Sequence, residues 1–228
     1  MAVRSDTATS AWVGAYSDIQ PAFVKPLHYR VIKRAFDIAF STCVVVVGVI
    51  PGTFLAVAVM LDTKSSPIYT QVRVGKHGRP FRIYKYRTMV ACADELDTLL
   101  TSEQVDDWHH EHKVVDDPRI TKFGRFLRAT SIDETPQFIN VLLGQISVVG
   151  PRPITFEELE YFGDDKTLLL SCPPGITGIW QTGPRNTATF KSGERQKLDL
   201  EYVANASLAL DAKLILKTIG AIVKRTGK

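Results

Sequence analysis

Ser131-Ile132-Asp133-Glu134-Thr135-Pro136-Gln137 places two adjacent carboxylates where a helix is about to begin. One reading of the pair is structural. Ser131 and Glu134 have capping-box spacing, and acids in a first turn are favoured by the helix dipole. Pro136 complicates it: with Ser131 as the cap, Pro136 falls at the fifth helical position, where an N–H is wanted. With Asp133 as the cap it falls at the third, where none is needed. The other reading is reactive. Arg125 and Arg128 come just before the pair, and Arg152 follows in a loop stiffened by Pro151 and Pro153. Together with a helix N-terminus and Lys85 and Arg87, these cations suit a bound diphosphate. A carboxylate facing a diphosphate is repelled unless a divalent cation intervenes. Two adjacent acids therefore suit two jobs, one holding Mg2+ and the other attacking phosphorus.

Several elements must bring these residues together. Ile68 to Arg87 reads as a hairpin, with Val72 and Val74 alternating with polar residues, a Gly75-Lys76-His77-Gly78 turn, and Phe81-Arg82-Ile83 resuming the alternation. If the second strand continues, Lys85 and Arg87 share a face with Phe81 and Ile83; the alternative is a strand that ends at Tyr84. Ala91 to His112 reads as a helix with an acidic, solvated side. Its His109, His110 and His112 do not place three metal ligands on one helical face. Thr121 to Arg128 starts a short basic amphipathic segment, and Ile132 to Leu143 is a further helix closed by Gly144. Cys172-Pro173-Pro174-Gly175 opens a second rigid stretch. Tyr202 to Lys224 reads as one amphipathic helix, with Leu208, Ile215, Ile219 and Ile222 in a stripe and Asp211, Lys213, Lys217 and Lys224 polar. That stripe suits either the core or a bilayer interface.

Upstream lies Ile38–Leu61, 24 residues without a charged side chain. This exceeds the roughly 20 residues that a spanning helix needs. Lys33 and Arg34 precede the run and Lys64, Arg73, Lys76 and Arg79 follow it, whereas a spanning helix concentrates its cations on one side. Pro51-Gly52 falls near the middle, where proline kinks or breaks a helix. Charge symmetry favours a segment that dips into one leaflet and returns; a spanning helix with a proline kink is the alternative. A cleaved signal peptide fits poorly, because the run is too long and starts too far from Met1. Outside a polar N-terminal tail and this run, about 165 residues remain, enough for one domain with a core. Net charge is +4 but uneven, with a basic collar after the run and nine acids between Asp94 and Asp117. The collar suits anionic headgroups or a phosphorylated substrate. It lacks the interleaved aromatics of a nucleic-acid surface. Cys43, Cys92 and Cys172 have no disulfide or metal-knuckle spacing, which fits a reducing compartment.

The sequence resembles the bacterial sugar transferases, monotopic phosphoglycosyl transferases that act on polyprenyl phosphate. The resemblance is carried in order by Lys33-Arg34-Ala35-Phe36-Asp37, Lys85-Tyr86-Arg87-Thr88-Met89 and Asp117-Pro118-Arg119-Ile120-Thr121 with Gly124. It continues through Leu127 to Gln137, Asn140-Val141-Leu142, Ser147 to Pro153, Pro174-Gly175-Ile176-Thr177-Gly178 with Gln181, and Asp199 with Tyr202-Val203. It covers about residues 31–225. Two departures are Ile50-Pro51 where the family often has Ser-Pro, and Ser-Ile-Asp-Glu-Thr-Pro-Gln where Ser-Leu-Asp-Glu-Leu-Pro-Gln is usual.

The resemblance implies an α+β, mainly α fold: a re-entrant membrane helix, a compact catalytic domain with amphipathic interfacial helices, and a small β-hairpin. The corresponding division is a mobile tail over residues 1–30, the re-entrant helix with its break at Pro51 over 31–65, and the catalytic domain over 66–228. It also implies a two-step transfer. Asp133 attacks the β-phosphate of a UDP-sugar, UDP-galactose or UDP-glucose, and expels UMP. A polyprenyl phosphate, usually undecaprenyl, then takes the phosphosugar from Asp133. Glu134 helps to bind the Mg2+ cofactor, and Arg152 contacts the nucleotide. The substrate-binding set expected is Lys85, Arg87, Arg128, Pro151, Arg152, Pro153 and Arg185, with Lys33, Arg34 and Pro51 at the membrane. The setting is the cytoplasmic face of a bacterial inner membrane, at the first step of exopolysaccharide assembly. The partners are the lipid bilayer and, as an open option, a second copy of the chain; nucleic acid is not among them. The minimal form, without the multi-span N-terminal region of larger relatives, is like the initiating transferases. Two rival readings remain: a membrane-anchored assembly protein whose acids are caps, and a glycosyl transferase that releases UDP.

Overall fold

The uncharged run lies inside a single 37-residue helix, α1 (Leu27–Thr63), in the computed structural model, which describes residues 24–111, 114–183, 188–190 and 192–223. The most apolar 18-residue window of α1 has a mean hydropathy of 2.6 and is 6% buried, so by length and composition the helix can cross a membrane. The expected break at Pro51 is not an interruption of the helix, which runs through this exposed proline. Pro51 has no N–H to donate. Around it, the Thr53 hydroxyl donates to Val49 O (2.8 Å) and the Tyr86 hydroxyl to Gly52 O (3.1 Å). A Cβ on Gly52 would lie 2.9 Å from the Tyr86 hydroxyl, so a side chain there would push that hydroxyl aside.

Both arms of α1 pack on the same body. The first arm buries Tyr29, Asp37 and Ser41, and the second buries Val59 and Thr63. Between them Val47 and Phe54 are 71% and 72% exposed. Lys33 and Arg34, expected at the membrane, dock the first arm to the body. Lys33 Nζ is 2.8 Å from Asp211 Oδ2, and Arg34 donates to Val141 O (2.6 Å) and Leu142 O (2.9 Å).

The body is mainly helical with small sheets. β1 (Ile68–Val74) and β2 (Pro80–Tyr86) pair antiparallel, in a register that sets Arg73 opposite Phe81 and Gln71 opposite Ile83. The second strand reaches Tyr86, so Lys85 does share a face with Phe81 and Ile83. The acidic stretch is two helices, α2 (Leu96–Leu99) and α3 (Ser102–Glu111), rather than one. Thr101 and Gln104 cause the division: each accepts the other's backbone N–H, which starts a new helix. Then come α4 (Lys122–Thr130), α5 (Gln137–Leu142), β3 (Ser147–Val149), α6 (Phe156–Leu159), α7 (Lys166–Leu169), β4 (Gly175–Thr177) and α8 (Ile179–Thr182). β3 and β4 form a parallel pair.

The C-terminal helix is also double, as α9 (Glu194–Asn205) and α10 (Leu208–Val223). Ser207 accepts from the Leu210 N–H and opens the second. Asp211 is not on a solvated side: it is buried and accepts from the Tyr29 and Tyr202 hydroxyls. Three clusters of buried side chains form the core. One joins Phe81, Ile83, Val141, Val148 and Tyr202; a second joins Val74, Phe156, Leu159, Phe162 and Phe190; the third joins Val59, Tyr86 and Leu127.

Candidate active site

The dyad lies in a short 3-10 turn, Ile132–Glu134, between α4 and α5. Thr121 caps α4 by accepting from the Gly124 N–H (2.8 Å), and α4 ends at Ser131, whose φ of 57° reverses the chain. Ser131 therefore closes one helix instead of opening the next, and neither capping-box alternative holds. Pro136 is the residue that precedes α5, a place where its missing N–H costs nothing. Glu134 does not cap; its Oε1 is 2.8 Å from Lys85 Nζ. Asp133 is 8% exposed.

Asn140 explains how Lys85 and the dyad meet. Its side chain accepts from the Tyr84 N–H (3.0 Å) and donates to Arg82 O (2.8 Å), so α5 is stitched to the edge of β2 one residue from Lys85. Arg34 satisfies the last carbonyls of the same helix, which α-helices leave unpaired. Behind the dyad, Arg128 Nε donates to the Thr88 hydroxyl (2.8 Å), and its charge faces Asp133, Asp117 and Glu134. Burial pushes the Arg128 and Lys85 pKa values down, and the facing carboxylates oppose the shift. Asp117 is gripped by Arg119 through Nε (2.9 Å) and Nη2 (2.7 Å). Burial alone would raise its carboxyl, but those bonds hold it below its ordinary value.

A cleft in front of Glu134 is lined by Arg73, Ile83, Lys85, Gln137, Arg152, Pro153 and Ile176. Its far wall depends on glycines. A Cβ on Gly175 would lie 2.0 Å from Gly150 N, so only glycine lets β3 and β4 approach and hold the Pro151-Arg152-Pro153 loop. Three cations, Arg73, Lys85 and Arg152, thus face one cleft carboxylate, an arrangement suited to a phosphorylated ligand.

Of the residues expected from sequence, Asp133, Glu134, Lys85, Arg128, Arg152 and Pro153 come together. Pro151 supports from behind, its carbonyl accepting from the Gly175 N–H (2.7 Å). Arg87 does not join them: it lies past the end of β2, donates to Ser66 O (2.8 Å) and stacks on Tyr69. Arg125 is exposed on α4. Arg185 lies outside the described residues, as do His112 and the side chains of His109 and His110. Arg73, Gln137 and Ile176 were not foreseen. The hairpin register was the available signal for Arg73, because residues directly opposite in an antiparallel pair share a face.

Among the described residues no three His, Cys, Asp or Glu side chains form a metal cage. Mg2+ does not require one: it keeps several waters and takes one or two carboxylates plus substrate phosphates. Glu134 in the cleft, with Asp133 next to it in sequence, fits that pattern.

Known proteins are similar to this chain over most of its length. The undecaprenyl-phosphate galactose phosphotransferase of Salmonella typhimurium is 40% identical over 201 residues, 87% of this chain and 42% of that protein. The UDP-glucose:undecaprenyl-phosphate glucose-1-phosphate transferase of Escherichia coli is 35% identical over 209 residues, 88% of this chain and 42% of that protein. The chain thus spans about two fifths of the length of these relatives. The exopolysaccharide production protein ExoY of Rhizobium meliloti is 33% identical over 198 residues, 86% of this chain and 87% of that protein. The profile described as bacterial sugar transferase matches residues 28–225, which include the dyad, the cleft and both arms of α1, and the chain belongs to the bacterial sugar transferase family.

Proposed function

We propose that the chain transfers a hexose-1-phosphate from a UDP-sugar to polyprenyl phosphate, releasing UMP. The observation that carries the reading is the pair Asp133 and Glu134 in one short turn: Glu134 reaches Lys85 and lines a cleft with Lys85, Arg73 and Arg152, and the buried Asp133 next to it acts on the charges of Lys85 and Arg128. An Asp133 oxygen attacks the β-phosphorus, the bond from that phosphorus to the α,β-bridging oxygen breaks, and UMP leaves with the bridging oxygen. The phosphosugar is then an acyl phosphate on Asp133. An oxygen of polyprenyl phosphate attacks the same phosphorus, the Asp133 bond breaks, and the carboxylate is restored. Arg152, Arg73 and Lys85, which line the cleft, hold the diphosphate. Glu134 would hold Mg2+, and the ion would supply positive charge against the repulsion between the attacking carboxylate and the diphosphate.

The Salmonella and Escherichia relatives are named for transfer to undecaprenyl phosphate of galactose and glucose phosphate, which makes UDP-galactose and UDP-glucose the first sugars to test; the Rhizobium relative, named for exopolysaccharide production, suggests the pathway. The setting proposed is the cytoplasmic face of the bacterial inner membrane, with α1 entering and leaving one leaflet. Polar docking of both arms to one body supports this, because Lys33 and Thr121 bond to Asp211 and Asp62. Exposed Phe126, Ile139, Leu143, Leu216 and Ile219 suit the interface.

Membranes carrying the chain, given undecaprenyl phosphate and a panel of UDP-sugars, should release UMP. Release of UDP instead would identify sugar transfer without phosphate, and release of neither would favour an assembly protein. Asp133→Asn should keep less than about a tenth of turnover while remaining folded, since covalent catalysis needs the attacking oxygen. Chelating Mg2+ should silence the wild type.

A further inference from the structure

Arg152 is held far more firmly than a surface cation needs. Its loop is pinned at three successive residues: the Gly150 N–H donates to Thr177 O (2.8 Å), the Gly175 N–H to Pro151 O (2.7 Å), and the Arg152 N–H to Asp199 Oδ1 (3.2 Å). With the backbone fixed, the guanidinium lies 5.1 Å from the centre of the Trp180 ring. That indole is itself immobilised. Its Nε1–H donates to Ala188 O (3.3 Å), the residue is 7% exposed, and the Arg195 guanidinium lies over the same ring at 4.6 Å. Arg195 is held in turn by Phe190, at 3.8 Å from its ring centre, and by Glu158. Trp180 does not line the cleft; Arg152 does.

A guanidinium is a planar cation that stacks on aromatic faces, and Trp offers the best face. A long side chain that reaches a ligand from a free rotamer pool loses that freedom on binding, whereas one already stacked does not. We propose that Trp180 is a positioning residue that holds the Arg152 guanidinium in place for the nucleotide diphosphate, without touching the substrate itself. The inference rests on the nucleotide-sugar reading of the cleft.

A rival account makes Trp180 a core side chain only. Removing it would then lower the melting temperature without acting through Arg152. The two accounts separate in a double-mutant cycle read by the Kd for UDP, measured by calorimetry on the full chain in nanodiscs with Mg2+. Trp180→Leu should weaken UDP binding about tenfold and Trp180→Phe, which keeps a face, about threefold; on an Arg152→Lys background each should add less than about twofold. Equal Kd values for Trp180→Leu and wild type would overturn the proposal, and so would losses that simply add to that of Arg152→Lys. If Trp180→Leu does not fold, the Trp180→Phe cycle decides alone. The functional reading fails separately: a wild type that shows this coupling but releases no UMP keeps the positioning role and loses the transfer chemistry. Release of UMP with UDP binding indifferent to Trp180 does the reverse.

Discussion

At the scale of single residues, the site is built from charges already engaged with one another. Glu134 has Lys85, Arg73 has Glu158 (2.8 Å), and Asp199 has the Arg152 N–H. Asp199 is the most demanding of these. It is 1% exposed, and around it stand Arg195 on its own helix, Arg152 on the loop, Glu158 on α6 and the Cys172 thiol. Burial pushes its carboxyl up to about 6, against the pull of Arg195 and the Arg152 N–H. An unfolded Asp titrates near 3.9. Between those values the folded chain holds a proton that the unfolded chain has released, so this group's contribution to stability falls as pH rises from about 4 to 7. Asparagine does not titrate. Asp199→Asn should therefore gain on the wild type by up to about 3 kcal/mol between pH 4 and pH 7, read from melts at both. A difference that is the same at both pH values would show that burial does not strain this carboxyl.

At the scale of elements, the hairpin, the amphipathic α4 and the Pro-Arg-Pro loop could be read directly, because alternation, turn glycines and flanking prolines are local signals. The candidate site was half legible for the same reason. Lys85 and the dyad were recognisable one by one, but the Asn140 stitch between β2 and α5 depends on residues 56 and 58 positions apart. Misread boundaries had local causes too small to stand out: the Thr101–Gln104 and Ser207 caps, and Ser131 in a left-handed conformation. Asp211 was misplaced because a periodic stripe cannot reveal that Tyr29, Lys33 and Tyr202 surround it. Gly124 tests how strictly α4 is seated. A Cβ there would lie 2.1 Å from Thr88 O, a backbone atom with little room to give. Gly124→Ala should cost about 2–3 kcal/mol and displace Thr88, and with it Arg128. Denaturant melts should show the loss and activity should fall with it. Unchanged stability would mean that the segment carrying Thr88 moves freely.

At the scale of the whole molecule, α1 joins its exposed apolar middle to the body at two places. In the re-entrant arrangement both ends of α1 face the same compartment, whereas a spanning helix would put Lys33 and Arg34 across the bilayer from the bulk of the protein. Single cysteines at Ser10→Cys and Ser192→Cys, in a chain lacking Cys43, Cys92 and Cys172, separate the two. With an impermeant maleimide neither should be labelled until intact cells are lysed; labelling of Ser10→Cys alone would mean crossing. Pro51→Leu restores a backbone donor and should shift the balance toward crossing. The docking of the first arm also has a consequence in time. Lys33 and Asp211 are 178 residues apart, and Asp37 waits for Ser147 and Val148. At ribosomal rates of about 5–20 residues per second, Lys33 emerges roughly 9–36 s before its carboxylate partner exists. The apolar helix is therefore complete, without these polar docking partners, for most of the synthesis of the chain. A nascent chain that stops short of Asp211 cannot adopt the native seating of its first arm.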